Sequence, residues 1–284
     1  MRKLAIIVLY NPNINFLNNT LYLVNKEVEK IWISDNSPVN HEALINCKGI
    51  EYRHIPYNSG IAHAQNIGIK YAIDNDYDWI LFFDQDSTVS SGFVMELLSS
   101  FITITSYDRN IYGIGPSAIN RDSKVVLNKK SMLSDLFVEN HRYTQVRELM
   151  CSGSIIRTEL FKEVGLMDES LFIDGVDFEI CWRGKSKIGA LFYVDQELVL
   201  EHQLGEGDKK FLGRNTHISS PFRTFYQIRN SLILSRRKYV PLKWKVSELM
   251  KSIIKSLLYP LLLSPRKDYF NAVVRGYKEG LTNR

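Results

Sequence analysis

Cysteine is scarce: Cys47, Cys151 and Cys181 are the only three in 284 residues. An odd, widely spaced set builds neither a disulfide framework nor a zinc motif. Reduced thiols in a reducing compartment are the simplest reading. Long apolar runs are missing too. No uncharged stretch approaches the roughly 18 residues that span a bilayer, and Leu257 to Leu263 is short and broken by Pro260. The opening MRKLAIIVLYNPN sets two basic residues before an apolar run, but the run ends in Asn-Pro-Asn without a small-residue cleavage site. It reads as a buried first strand, and the expected location is cytoplasmic. Internal repeats, low-complexity segments, zinc spacings and RNP-like aromatic strands are all lacking, which argues against a nucleic-acid partner.

What is present is an ordinary globular composition, 45% hydrophobic and 24% charged, enough for a sizeable core. The charge is unevenly placed. From Pro221 onward there are 14 Lys/Arg against 3 Asp/Glu, whereas the preceding residues carry 22 against 28. An acidic body therefore bears a strongly basic tail, where an anionic partner would dock.

The first half alternates short apolar runs with helical patterns, which predicts an α/β fold with a mostly parallel sheet. Strands are expected at Leu4–Leu9, Ile31–Ser34, Ile50–Ile55 and Trp79–Phe83, and helices at Gly60–Ile73 and Gly92–Thr103. The middle is more mixed. Met150–Arg157 and Ala190–Leu200 read as strands, and Glu159–Val164 and Val176–Lys187 as helices. Gly205–Gly213 reads as a mobile Gly-rich loop. Three helices follow, at Arg223–Arg237, Lys243–Leu258 and Asp268–Gly280, with Pro241, Pro260 and Pro265 expected as breaks.

The sharpest local signal is WILFFDQDS, a buried strand running into Asp84-Gln85-Asp86. Ligands of open α/β sheets bind beyond the carboxyl ends of the strands. Residues i and i+2 of extended chain point the same way, and two carboxylates aimed at one point call for a hard divalent ion, Mg²⁺ or Mn²⁺. Turn and N-cap roles for the same two acids explain the pattern equally well. A second acidic cluster, FIDGVDFEICWR, holds Asp174, Asp177 and Glu179. Asp174 and Asp177 fit an acidic capping box, and Glu179 with Arg183 fits an i,i+4 surface pair. Alternatively Asp177, kept ionised by the helix dipole, acts as a general base.

Taken in order, several segments resemble the family-2 glycosyltransferases with the GT-A fold, and more narrowly the bacterial rhamnosyltransferases of O-antigen and capsule assembly. They are Leu9-Tyr10-Asn11, Ser34-Asp35-Asn36-Ser37, the Asn58–Ile69 stretch, Asp84-Gln85-Asp86, Ser152-Gly153-Ser154, Asp168 to Asp177, His202-x-x-Gly205, and Ser220-Pro221-x-Arg223-x-x-Tyr226-x-x-Arg229-Asn230. The resemblance covers nearly the whole chain. It implies that Tyr10, Asn11 and Asp35 contact base and ribose, and that Asn58, Gly60 and Asn66 form a second wall of the nucleotide site. It further implies that Asp84, Gln85 and Asp86 clamp the metal and pyrophosphate with His202 close by, and that Asp177 is the catalytic base of an inverting transfer. Ser152 and Gly153 fall on the acceptor side. Many members carry Glu-Asp at the base position, whereas this chain has Val176-Asp177, so a supporting acid must come from Asp174 or Glu179. Arg223 and Arg229 offer guanidinium groups for the diphosphate, with helix-surface charge the readier reading of Arg223.

The resemblance implies a donor half over 1–115, an acceptor and catalytic half over 116–215, and a helical region over 216–284. It implies dTDP-L-rhamnose as donor, with UDP-galactofuranose or another nucleotide-sugar as the alternative, and a lipid-linked glycan as acceptor. A non-catalytic nucleotide-sugar-binding protein is the rival class. A nucleotidyltransferase would need a Gly-rich basic loop after the first strand, where this chain has Asn11-Pro12-Asn13-Ile14-Asn15. In the tail, Lys243, Lys245, Lys251, Lys255, Arg266 and Lys267 surround Leu249, Ile253, Ile254, Leu257 and Leu258. That basic amphipathic pattern suits peripheral docking on the anionic inner face of the plasma membrane, and packing on the body or on a second subunit is its competitor.

Overall fold

Four apolar runs become the parallel core that their composition predicts: β1 (Lys3–Leu9), β2 (Lys30–Asp35), β3 (Ile50–His54) and β4 (Trp79–Asp84). The computed structural model describes residues 2–120, 126, 131–138, 140–202, 209–211, 214–216 and 218–282. Strand β1 pairs in parallel with β2 on one side and β4 on the other, and β2 pairs in parallel with β3. The same sheet continues through β5 (Ile111–Asn120), β6 (Met132–Val138), β7 (His141–Val146), β8 (Ser154–Arg157) and β9 (Leu191–His202). Its order is β3-β2-β1-β4-β8-β5-β9-β7-β6, with β8 antiparallel to both β4 and β5.

Helices cover both faces: α1 (Ile14–Val24), α2 (Ile61–Asp74), α3 (Phe93–Thr105), α4 (Thr158–Val164) and α5 (Val176–Ile188). Along β1, Leu4 and Ile6 face α2 and α5, while Ala5, Ile7 and Leu9 face α1 and α3. A strand buried on both sides has no polar alternation to show, which is why it reads as an unbroken apolar run. A small hairpin, β10 (Lys209–Phe211) with β11 (Arg214–Thr216), follows β9. The rest of the expected Gly205–Gly213 loop lies outside the described residues.

The basic tail folds as α6 (Pro221–Ser235), α7 (Leu242–Leu262) and α8 (Arg266–Thr282). Ser220 caps α6, accepting from the Arg223 amide at 3.3 Å, and Pro221 sits in the first turn, where its missing N–H costs nothing. Two expectations need correction. Pro260 does not end α7 but lies inside its last turn. Met150–Gly153 is not strand: it makes a turn before β8, and Gly153, at φ +73°, donates to the Phe82 carbonyl at 2.7 Å. Among the described residues, no helix is long and apolar enough to cross a membrane.

Candidate active site

The chain order β3-β2-β1-β4 reverses direction at β1, so a crevice opens beyond the carboxyl ends of β1, β2 and β4. Register brings the expected residues there together: Val8 pairs with Asp84, and Leu9 pairs with Asp35. Asn11, at φ +48°, turns the chain out of β1, and its amide donates to Ser37 Oγ at 2.8 Å. The Gln85 amide clasps the neighbouring residue, accepting from Tyr10 N at 2.8 Å and donating to Tyr10 O at 3.2 Å.

Asp84 and Asp86 are presented by a turn rather than by extended chain, so alternation along a strand does not align them. Ser87 closes the turn: its amide donates to Asp84 O at 3.1 Å, and its hydroxyl accepts from the Asp84 amide at 3.0 Å. The same hydroxyl meets Ser152 Oγ at 3.0 Å. Asp84 is partly buried and Asp86 exposed. His202 ends β9, and its side chain lies outside the described residues.

Asp177 stands opposite, in the first turn of α5, partly buried. Burial, with the charges of Asp84 and Asp174 adding to it, raises its carboxyl from 3.8 to about 7 against the pull of the Phe178 amide at 3.1 Å. The helix terminus therefore does not keep it ionised, because two amides do not offset burial beside two other carboxylates. Arg223 closes this cluster. Its guanidinium grips Asp174 by three hydrogen bonds of 2.7–3.0 Å, and it feels the charges of Asp177 and Asp84 as well.

The capping box expected at α5 is absent. Gly175, at φ +87°, takes the N-cap position, and Asp174 is itself left-handed at φ +63° and turned toward Arg223. Phe172 also has φ +63°. Two non-glycine residues in that region within three positions mark a strained loop, held in place by its surroundings. Asn230 donates to the carbonyls of Leu171, Ile173 and Asp174 at 2.7–3.0 Å, and Arg229 to that of Ser170. Gly60 lets Phe172 approach: a Cβ there would sit 2.7 Å from the Phe172 ring and 2.8 Å from its carbonyl oxygen.

Several expected ligand contacts already have other partners. Asp35 is fully buried, and its carboxylate bonds Ser37 N, His41 Nδ1 and Tyr52 Oη at 2.5–2.9 Å. Burial alone would raise it, but these bonds outweigh burial and hold it below its ordinary value. Asn66 is buried against Met167 and Glu169 at 2.8–2.9 Å, tying α2 to the loop beyond α4. Asn58 caps the Gly60 amide at 3.1 Å. Arg229 is buried over the Tyr226 ring at 4.8 Å. Glu179 is not on the surface: Arg183 binds it at 2.8–2.9 Å and Tyr239 Oη at 2.5 Å, with Arg237 3.2 Å away. Of the two proposed supporting acids, Asp174 acts on Asp177 by its charge, while Glu179 is taken up by Arg183 and Tyr239.

The sequence reading missed an aromatic group beside Asp174 and Arg223. Phe172 stacks on Tyr226 at 4.6 Å and 9°, and the half-exposed Phe222 meets both rings edge-on at 5.0–6.1 Å. Its signal was in plain view, as three aromatics within Pro221-Phe222-Arg223-Thr224-Phe225-Tyr226 at the start of a helix.

Comparison with known proteins places this geometry. Residues 4–165 match glycosyl transferase family 2. The chain is 31% identical over 286 residues to the dTDP-rhamnosyl transferase RfbF of Shigella flexneri, covering 98% of this chain and 94% of that one. Among solved structures, S. aureus TarS 1-349 in complex with UDP-GlcNAc superposes with a TM-score of 0.59 at 12% identity, over 97% of this chain and 81% of that one. GalNAc-T7 with UDP, GalNAc and Mn²⁺ superposes with a TM-score of 0.55 at 18% identity, over 88% of this chain but only 54% of its own. With the sheet order, the strand-end carboxylates and the full-length relative in agreement, the chain belongs to glycosyl transferase family 2 and is a glycosyltransferase of the GT-A fold.

Proposed function

We propose that the protein transfers L-rhamnose from dTDP-L-rhamnose, with inversion, to a hydroxyl of a growing lipid-linked cell-surface glycan. The observation that carries the chemistry is the Asp84–Asp177 pair, two carboxylates from different elements brought near enough for the charge of one to act on the other. The donor is argued from the full-length relative named for it. UDP-galactofuranose is the alternative donor.

The carboxylates fit a divalent ion, Mg²⁺ or Mn²⁺. Among the described residues no three His, Cys, Asp or Glu side chains cluster as a closed cage. A turn offering two acids to an open cleft suits an ion that completes its shell with water and donor phosphates. Asp84 and Asp86 would hold it, and when bound it would neutralise charge building on the departing diphosphate.

The chain's own residues supply the remainder. Tyr10, Asn11, Gln85 and Gly60 line the nucleotide side, while Asp35, Asn58 and Asn66 position those loops from behind. Asp177 takes the proton of the acceptor hydroxyl as it attacks the anomeric carbon opposite the diphosphate, and a single displacement inverts configuration. Asp174, gripped by Arg223, is held where its carboxylate helps raise the Asp177 carboxyl, which makes that group a better proton acceptor. Glu179 braces α5 from within. Phe222, with Phe172 and Tyr226 behind it, offers an apolar wall to the acceptor ring, and Ser152 and Gly153 hold the floor beneath. Residues 1–115 thus serve the donor, 116–215 the acceptor and catalysis, and 216–284 the surface on which the enzyme works.

The test is nucleotide release from dTDP-L-rhamnose and from UDP-galactofuranose, with Mn²⁺ and with chelator. Turnover of the dTDP donor alone, lost with chelator and in Asp86→Ala, is the expected result. Turnover of the UDP donor alone would refute the donor assignment, and full activity in chelator would refute the metal clamp.

A further inference from the structure

Helix α7 carries its longest apolar stripe outward. Of its 21 residues, Ser252 and Tyr259 are the buried ones. The face it packs on the body sets Trp244 edge-on to Trp182 at 4.8 Å and Tyr259 edge-on to Tyr269 at 5.6 Å, and the rest of it is polar: Ser252 Oγ meets Ser231 Oγ at 2.9 Å, Lys255 Nζ donates to Gln227 Oε1 at 2.5 Å, and Ser256 Oγ to Tyr277 Oη at 3.3 Å. Burial lowers the Lys255 ammonium, the reverse of what a solvated helix face would do. The opposite face carries Leu242, Val246, Met250, Ile253, Leu257 and Leu261, each about half exposed or more, with Leu257 at 63% and Leu261 at 66%. Their spacing of three or four residues makes one continuous stripe, about 30 Å long at 1.5 Å per residue. A soluble helix arranges its faces the other way, and an exposed apolar patch of this extent marks a contact surface.

The charges around the stripe select what covers it. Lys243, Lys251, Arg266 and Lys267 are exposed along α7 and at the start of α8. The nearest acid on α7, Glu248, is already engaged by Lys251. A second copy paired stripe to stripe would bring these cations together with few acids to answer them, since the 64 residues from Pro221 hold only 3 Asp/Glu. An anionic lipid surface answers both features at once, accepting the apolar stripe among the acyl chains and the cations among the headgroups. Because α7 is too polar to cross a membrane, it would lie along the surface. We propose that the outward face of α7 is a docking surface for an anionic membrane, entered by Leu242 through Leu261 and rimmed by Lys243, Lys251, Arg266 and Lys267. The docking takes its purpose from the proposed lipid-linked acceptor, but it is measured without donor or acceptor, so either reading can fail alone.

The experiment is co-sedimentation of the full chain with phosphatidylcholine vesicles, with and without 30% phosphatidylglycerol. Wild type is expected to bind the anionic vesicles at least about tenfold more tightly than the neutral ones. The double variant I253D/L257D should lose at least about tenfold of that affinity, the equivalent of ~1.4 kcal/mol. Both substituted positions are exposed, so its circular dichroism, melting temperature and release of nucleotide from soluble donor should match wild type. The variant K243E/K251E, which leaves the stripe whole, should lose the preference for anionic lipid. Failure to sediment with anionic vesicles, or equal binding to both compositions, overturns the proposal. So does a wild-type dimer in solution that I253D/L257D dissolves, because a second copy would then own the face.

Discussion

Replacing Asp177 by Asn should make the enzyme more stable and nearly inactive. In the folded chain its carboxyl is raised from 3.8 to about 7. The folded protein therefore holds a proton that the unfolded chain has released between those limits. Stability is intact below about pH 4 and is lost progressively as the pH climbs toward 7, the reverse of a salt-bridged acid. About three pH units at 1.36 kcal/mol each set a ceiling of about 4 kcal/mol. The side chain is partly open to the cleft, where water tempers the penalty, so about 2 kcal/mol is the working figure. Asn keeps the shape and carries no charge. At pH 8 it should raise the melting temperature by roughly 4 to 8 °C, at pH 5 by roughly a third to a half as much, and at pH 3 by almost nothing. Catalysis runs the other way. For wild type, kcat/KM should climb about tenfold per pH unit to about pH 7 and level off above it, while Asp177→Asn should lose about 10²- to 10⁴-fold at pH 8 and show no such climb. Thermal melts across pH 3 to 8 and initial rates across pH 5 to 8 read both. Three results would refute the reasoning: a variant keeping more than a tenth of the rate, a flat wild-type profile, or a variant that melts no higher than wild type at pH 8.

Three further substitutions test the surroundings. Gly60→Ala sets a methyl 2.7 Å from the Phe172 ring at a φ of +84°; urea unfolding should show a loss of about 2 kcal/mol or more, with donor KM raised as the two loops part. Phe222→Ala removes an exposed ring and should leave the melting temperature within about 2 °C, while acceptor KM rises roughly threefold to tenfold at unchanged kcat. Arg229→Gln strips the support of the Ser170 carbonyl and the Tyr226 ring; it should cost about 2 to 3 kcal/mol of stability and leave donor affinity in calorimetry within twofold, whereas a tenfold drop would restore Arg229 to the diphosphate.

The centre of the parallel core was legible because strands buried on both faces can only be apolar, as β1 and β4 are, whereas the edge strand β3 reads Ile-Glu-Tyr-Arg-His and has no buried residue. The position of Asp84-Gln85-Asp86 at a strand end was legible but its geometry was not, since nothing local announces that Ser87 bends it into a turn. Roles that depend on distant partners were hidden. Asn66 meets Met167 and Glu169 about a hundred positions away, and Arg229 meets Ser170 across 59. At each of these positions a motif match suggested ligand contact and tertiary hydrogen bonding claimed the side chain instead. Glu179 looked like half of a surface pair because Arg183 is its helix neighbour, and only the fold brings Arg237 and Tyr239 to bury it. The capping box failed at Gly175, whose positive φ displaced Asp174 from the helix entry. The β6–β7 hairpin was not anticipated at all, because its half-exposed positions follow no clean alternation.

The loop from Asp168 to Gly175 is gripped by α2 through Asn66 and Gly60 and by α6 through Arg229 and Asn230. Anyone wishing to retrain the enzyme on a new acceptor inherits that arrangement. Redesign within the loop would disturb the packing of α2 and α6 in the same stroke, so a library is better started at Phe222, which leans on the loop through ring contacts.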